Sequence, residues 1–76
     1  MIIDPTSPVH PYLQLAAQLR QQIANGTITG PLPSYEALVS QTGLSKGVIQ
    51  RAIKVLVDEG LVFTVQGRGV FVKRPE

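Results

Sequence analysis

The stretch Leu32–Leu56 constrains this chain more than any other, because its residue spacing predicts two short helices joined by a tight turn. Gly43 is the expected pivot between them. Ser34 follows a proline and can cap the first helix, placed at Tyr35–Gln41, by accepting a hydrogen bond from a free backbone N–H. A helix this short cannot bury a core alone, so it must pack on the helix that follows.

The second helix of the pair is predicted to follow Ser45, another capping residue, and to run from Lys46 to about Glu59. Gly60 is suited to the position just past its end. Apolar residues at helical spacing in the two helices should then meet in one small core. They are Leu38, Leu44, Ile49, Ala52, Ile53 and Leu56.

The opposite side of the second helix is predicted to be polar and basic. Its outward residues are Lys46, Gly47, Gln50, Arg51 and Lys54. A helix that buries an apolar back and exposes a basic front suits the major groove of DNA. The bland alternative is an ordinary solvated face, and the position within a two-helix unit favours DNA over it.

Charge and composition narrow the functional classes further. Residues 45–76 hold six of the seven Lys and Arg residues but only three of the five carboxylates, which favours a polyanionic partner. With no cysteine, one histidine and scattered carboxylates, the pattern predicts no enzyme, no metal site and no cofactor. No apolar run approaches the roughly 20 residues of a membrane span, and the N-terminus lacks a secretory signal pattern, so we expect a cytoplasmic protein.

The residues before Leu32 divide into an arm, a helix and a loop. Residues 1–10 are rich in proline and are predicted to form an extended arm, from which Ile2, Ile3 and Val9 can still pack on the body. Pro11 suits the first turn of a helix lasting to about Asn25, and Gly26 suits its cap. The predicted buried stripe is Tyr12, Leu15, Ala16, Leu19 and Ile23. The predicted outward residues are Gln14, Gln18, Arg20, Gln21 and Gln22. Residues 27–31 should form a loop.

The pattern changes from helix to strand after Gly60. Leu61–Val65 and Val70–Val72 are rich in β-branched and aromatic residues, and two glycines lie in the connection at 66–69. A β-hairpin is therefore predicted, with Lys73–Glu76 as a polar tail or the start of a linker. The predicted fold is mainly α with a small β-hairpin, a winged helix-turn-helix domain over residues 11–72.

At this point the chain resembles a known group of proteins. The segments HPYLQLAAQLRQQIANG, LPSYEALVSQTGLSKGVIQRAIKVLVDEGLV and GRGVFV are similar to the N-terminal DNA-binding domain of GntR-family bacterial transcription regulators. The likeness covers nearly all of residues 11–72 in the right order. It implies a winged helix that binds operator DNA, usually as a dimer and usually as a repressor.

Several positions depart from the family pattern. Glu36 stands where an arginine is common, Gly47 and Gln50 replace usual residues of the recognition helix, and Phe63-Thr64 replaces basic wing residues. These departures keep the fold and change the DNA sequence expected to be read. The effector domain of most members is absent from this chain, which is either a fragment or a minimal regulator.

The candidate DNA-binding residues come from three places: the start of each helix of the pair and the tip of the hairpin. They are Ser34, Tyr35, Glu36, Ser45, Lys46, Gly47, Gln50, Arg51, Gln66, Gly67 and Arg68. Glutamine can pair with adenine, and arginine or lysine with guanine. Arg68, between two glycines, is predicted to enter the minor groove or to bind phosphate. Capping explains both serines without DNA.

The expected partner is therefore double-stranded operator DNA, bound by a monomer or weak dimer that can pair as a homodimer on a two-fold site. No membrane partner is expected. A winged helix used as a protein-interaction module in a larger assembly is the alternative, because several usual basic contacts are missing. The retained Lys46, Arg51 and Arg68 argue against this alternative.

Overall fold

The computed structural model describes residues 3–73, which form three helices followed by an antiparallel hairpin. The elements are α1 (Pro11–Ala24), α2 (Tyr35–Thr42), α3 (Lys46–Asp58), β1 (Val62–Val65) and β2 (Gly69–Val72). This order is the predicted winged helix-turn-helix, with every boundary within one residue of its expected place. The predicted packing of Ile2 and most of the predicted tail, residues 74–76, lie outside the described residues.

Both predicted serine caps are present. Ser34 Oγ accepts a hydrogen bond from the backbone N–H of Ala37 at 3.1 Å, and Ser45 Oγ accepts one from Val48 at 3.3 Å. Each cap satisfies an N–H that has no partner inside its helix. The starts of α2 and α3 are therefore fixed by residues adjacent to them in sequence.

The turn between α2 and α3 is held by a small set of hydrogen bonds around Gly43. The glycine has a φ of +74°, a conformation that residues with a side chain rarely adopt, and its N–H donates to Val39 O at 2.8 Å. Thr42 Oγ1 donates to Leu38 O at 2.7 Å and accepts from the N–H of Leu44 at 3.1 Å. These bonds restrain the angle at which α3 leaves α2.

The core is aliphatic and joins all the elements. Helix α3 contributes four buried residues, and the predicted stripe of α1 packs on them. The buried apolar residues are Leu15, Ala16, Leu19, Leu32, Leu38, Ile49, Ala52, Ile53, Leu56, Val62 and Val70. Leu44, Tyr12 and Ile23, expected inside, are only partly buried against this cluster.

Arg20, predicted to be outward and solvated, has a side chain that is 42% exposed and that also makes an ion pair. Its guanidinium donates to both carboxylate oxygens of Glu59, at 2.7 and 2.5 Å, and so ties α1 to the end of α3. This hydrogen bond lowers the pKa of Glu59 and raises the pKa of Arg20. Helical spacing did not predict this pair, because its two residues are 39 positions apart in the chain.

Gln14, also predicted to face outward, instead holds the N-terminal segment. Its side-chain amide donates to the carbonyls of Asp4 and Val9 and accepts from the N–H of Asp4. Ile3 packs against the core, whereas Val9 remains 46% exposed. The start of the described chain is thus held by the hydrogen bonds of Gln14 and by the packing of Ile3.

The loop at 27–31 does more than connect two helices, because its end pairs with the hairpin. Leu32 donates its N–H to Val70 O at 2.8 Å, and Val72 donates to Gly30 O at 3.0 Å. Pro31, which has no N–H to offer, forms an isolated bridge with Phe71 between these two bonds. The loop prediction missed this pairing, because strand partners distant in sequence leave no local signal.

Candidate nucleic-acid interface

Helix α3 divides into a buried back and an exposed front, as the sequence predicts. Ile49, Ala52, Ile53 and Leu56 are buried. Its outward residues Lys46, Gly47, Gln50, Arg51 and Lys54 are all exposed. Lys46, Gln50 and Lys54 succeed one another at four-residue intervals and therefore form one stripe along the helix.

An open groove runs beside this stripe. It holds about 340 Å³ and is bordered by the start of α2, the exposed side of α3 and the first strand of the hairpin. Its lining residues are Tyr35, Gln50, Ile53, Lys54, Val57, Asp58 and Thr64. The fold thus brings two predicted site residues, Tyr35 and Gln50, to the same space, together with Thr64, which was not a candidate.

Arg51 faces a different neighbour. Its guanidinium carbon lies 4.4 Å from the ring centroid of Tyr12 on α1, in a cation–π contact. The Tyr12 ring is stacked in turn on His10, with centroids 6.0 Å apart. Sequence reasoning placed Tyr12 among the core residues and missed this contact. An aromatic residue and an arginine on separate helices carry no signal that they meet.

The remaining helix-start candidates sit at the surface. Ser34, Glu36 and Ser45 are exposed, and Tyr35 is partly buried. Both serine oxygens already accept a capping bond, but each hydroxyl still has a hydrogen to donate. Glu36 lies in the first turn of α2, where the unpaired N–H groups and the helix dipole stabilise a carboxylate.

The hairpin tip is a three-residue loop of Gln66, Gly67 and Arg68, all exposed. The backbone N–H of Arg68 donates to Val65 O at 3.0 Å, and Gly67 supplies the positive φ, +80°, that this turn requires. Gly69, predicted as part of the connection, instead pairs with Val65 in the sheet. The turn presents the Arg68 side chain at the end of the hairpin.

Ion pairing removes some of the positive charge from this surface and leaves the rest. Arg20 forms an ion pair with Glu59, and Lys54 Nζ lies 3.4 Å from Asp58 Oδ2. Among residues 3–73, the cations that make no ion pair are Lys46, Arg51, Arg68 and Lys73. Three of these four are predicted site residues, at the front of α3 and at the hairpin tip.

Across positions 3–73, no three His, Asp or Glu side chains are grouped as metal ligands. No helix in this part of the chain has the length and apolar character needed to cross a membrane.

Comparison with known proteins places this surface in context. The family described as "Bacterial regulatory proteins, gntR family" matches residues 11–72. The chain is 40% identical to the HTH-type transcriptional repressor NagR of Bacillus subtilis (strain 168), and the match covers 100% of this chain and 32% of that protein. It therefore spans about a third of the length of the curated relatives it matches.

Two solved structures have the same fold. AraR(DBD) in complex with operator ORX1 superposes with a TM-score of 0.88 at 32% identity, covering 96% of this chain and 95% of that one. YtrA from Sulfolobus acidocaldarius, a GntR-family transcription factor, superposes with a TM-score of 0.85 at 36% identity, covering 97% and 80%.

Proposed function

Because this chain belongs to the gntR family of bacterial regulatory proteins, we propose that it binds double-stranded operator DNA and acts as the DNA-binding part of a cytoplasmic transcription repressor. NagR, at 40% identity, is a transcriptional repressor, and AraR(DBD) is bound to an operator in the solved structure. The single observation that carries the proposal is the exposed front of α3. Two of its three cations, Lys46 and Arg51, make no ion pair within residues 3–73, and the back of the helix opposite them is apolar.

In this proposal, the first turns of α3 enter the major groove and read bases. Lys46 and Gln50 lie one helical turn apart on the exposed stripe, so both side chains can enter the same major groove of the DNA. Gln50 can donate to and accept from adenine, and Lys46 can donate to guanine. Gly47, on the adjacent stripe of the helix, adds no side chain and lets the backbone of α3 approach the DNA closely.

In this proposal, the phosphate backbone is contacted by the starts of α2 and α3 and by the hairpin tip. Ser34, Tyr35 and Ser45 offer O–H donors near the helix starts. The hairpin tip, with Gln66, Gly67 and Arg68, reaches the adjacent minor groove or its phosphates. Glu36 repels phosphate from its exposed position, so we propose that it disfavours DNA sequences that cannot offer it a donor, such as a cytosine amino group.

The decisive experiment is selection of bound duplexes from random DNA, followed by substitution of Gln50. Gln50→Ala should weaken binding to the selected duplex by about 1–3 kcal/mol and relax preference at one base pair, because a bidentate base contact is lost. Gln21→Ala on α1, which removes another exposed glutamine, is the matched control and should bind as the parent does. Equal binding by the Gln50 variant and the parent would contradict the assignment.

One observation favours a second function, that of a protein-interaction module. Phe63 on the hairpin is 44% exposed and is stacked on Phe71 with ring centroids 6.0 Å apart, which leaves an apolar surface next to the tip. A salt series separates the two functions. Phosphate contacts make DNA affinity fall steeply as ionic strength rises, whereas an apolar protein contact does not respond in this way.

Two copies can bind together on DNA in this scheme. A two-fold site with half-sites about one helical turn apart would place one α3 in each major groove. The free chain is expected to be a monomer or weak dimer, because its buried apolar residues are already used in its own core.

A further inference from the structure

The exposed surface of α3 has two sides with different surroundings. Gln50 and Lys54 border the groove shared with Thr64 of the hairpin. Arg51 is the residue after Gln50, and its side chain therefore points about 100° further around the helix axis. That rotation takes its guanidinium to α1, where it lies over the ring of Tyr12.

We propose that Tyr12 is a positioning residue for Arg51, and that it holds the guanidinium at the α1 side of α3 to bind a DNA backbone phosphate and not a base edge. This inference rests on the proposed DNA binding and assigns different tasks to two neighbouring residues. Gln50 reads sequence, and Arg51 anchors the helix.

The contact restrains a side chain that would otherwise sample many conformations. Arg51 is exposed and makes no ion pair within residues 3–73, so the Tyr12 ring, at 4.4 Å, is its one charge-stabilising neighbour there. A guanidinium held over a ring face keeps N–H donors at its edge for a phosphate. His10, stacked on Tyr12 with an interplanar angle of 21°, supports the ring in turn.

Helix geometry gives the reason for a phosphate contact. Lys46, Gln50 and Lys54 share one stripe, whereas Gly47 and Arg51 form the adjacent stripe on the α1 side. A helix lying in the major groove presents its central stripe to base edges and its flanks to the sugar–phosphate walls. A Cβ built on Gly47 meets nothing within 4 Å, so this flank is open for a DNA strand to approach.

A double-mutant cycle tests the inference with two probes, a duplex recovered by selection and a random-sequence duplex of equal length. Arg51→Gln should weaken binding to both by the same factor and lower the log–log salt slope by about 0.9, the value for one phosphate contact. Tyr12→Leu should weaken binding by about two- to fivefold, the range for an exposed cation–π contact. In the Arg51→Gln background, Tyr12→Leu should have no further effect.

Two variants serve as controls. Tyr12→Phe keeps the ring and should retain the affinity of the parent. Tyr35→Leu removes the other tyrosine, which lies on the groove side of α3, and its effect should add to that of Arg51→Gln. Thermal unfolding of each variant shows whether the fold is kept. In the parent, an upfield ring-current shift of the Arg51 Nε–H proton in the NMR spectrum tests the contact without any substitution.

Three results would overturn the inference: equal losses from Tyr12→Leu in both backgrounds, a missing ring-current shift, or an Arg51→Gln effect confined to one base pair. The last would make Arg51 a base-reading residue while leaving DNA binding intact. Failure of the parent to bind either duplex would remove the proposed function, and this inference with it.

Discussion

The helix-turn-helix unit (residues 34–58) and the wing (residues 62–72) are stabilised in different ways. In the unit, both helix starts are capped, and Leu38, Ile49 and Leu56 are fully buried. The wing buries Val62 and Val70 but leaves Phe63 44% exposed on its outer side. The difference indicates a division of tasks, in which the unit sets the position of α3 and the wing supplies an extended charged tip.

The core of the helix-turn-helix unit should show the largest effect of substitution. Leu56→Ala is expected to reduce the free energy of unfolding by about 2–5 kcal/mol, because it leaves a cavity among side chains with no access to solvent. Urea denaturation measures this loss. Val57→Ala, at the next residue and 38% exposed, is the control and should cost far less. A loss from Phe63→Ala as large as that from Leu56→Ala would contradict the comparison.

The tip of the wing should affect binding without affecting stability. Arg68→Ala is expected to lower the log–log salt slope of DNA affinity by about 0.9, so that between 50 and 200 mM salt the parent loses about 3.5-fold more affinity than the variant. Its unfolding midpoint should equal that of the parent, because the turn is held by the backbone bond from Arg68 to Val65. An unchanged salt slope would place Arg68 away from the DNA.

Removing the negative charge at the start of α2 should raise DNA affinity, whereas removing the positive charge at the wing tip should lower it. Glu36→Arg is expected to raise affinity for a random duplex more than for the selected duplex, because it replaces a charge that repels every phosphate. Competition titrations against both duplexes measure the ratio of the two affinities, which should narrow. If both affinities stay as in the parent, Glu36 serves only as a favourable charge at a helix start.

The smallest effect is expected where neither region is involved directly, at the Arg20–Glu59 pair. Arg20 holds the pKa of Glu59 below its usual value. The stability gained from the ionised carboxylate is thus present at pH 7 and is lost as the pH falls below the usual glutamate pKa of about 4.3. The parent should therefore lose more stability than Glu59→Gln between pH 6 and about pH 3. Thermal unfolding across this range measures the difference, and parallel curves would show that the pair contributes nothing.

The sequence by itself determined the elements and most of the core. Ser34, Gly43 and Ser45 act on backbone groups within a few residues, so their roles follow from local physical chemistry. The exposed stripe of α3 follows from the helical period, which also predicts its buried back. These features needed no knowledge of where distant segments lie.

Only the tertiary structure decided which distant side chains meet. The partners of Arg20 and Arg51, and the pairing of Gly30 and Leu32 with β2, all depend on how α1 and the hairpin pack on α3. Each of these contacts joins residues far apart in sequence through side-chain direction and strand register, which periodicity does not encode. The sequence therefore showed which face of α3 is exposed, and the tertiary structure separated that face into a side bordering the groove and a side bordering Tyr12.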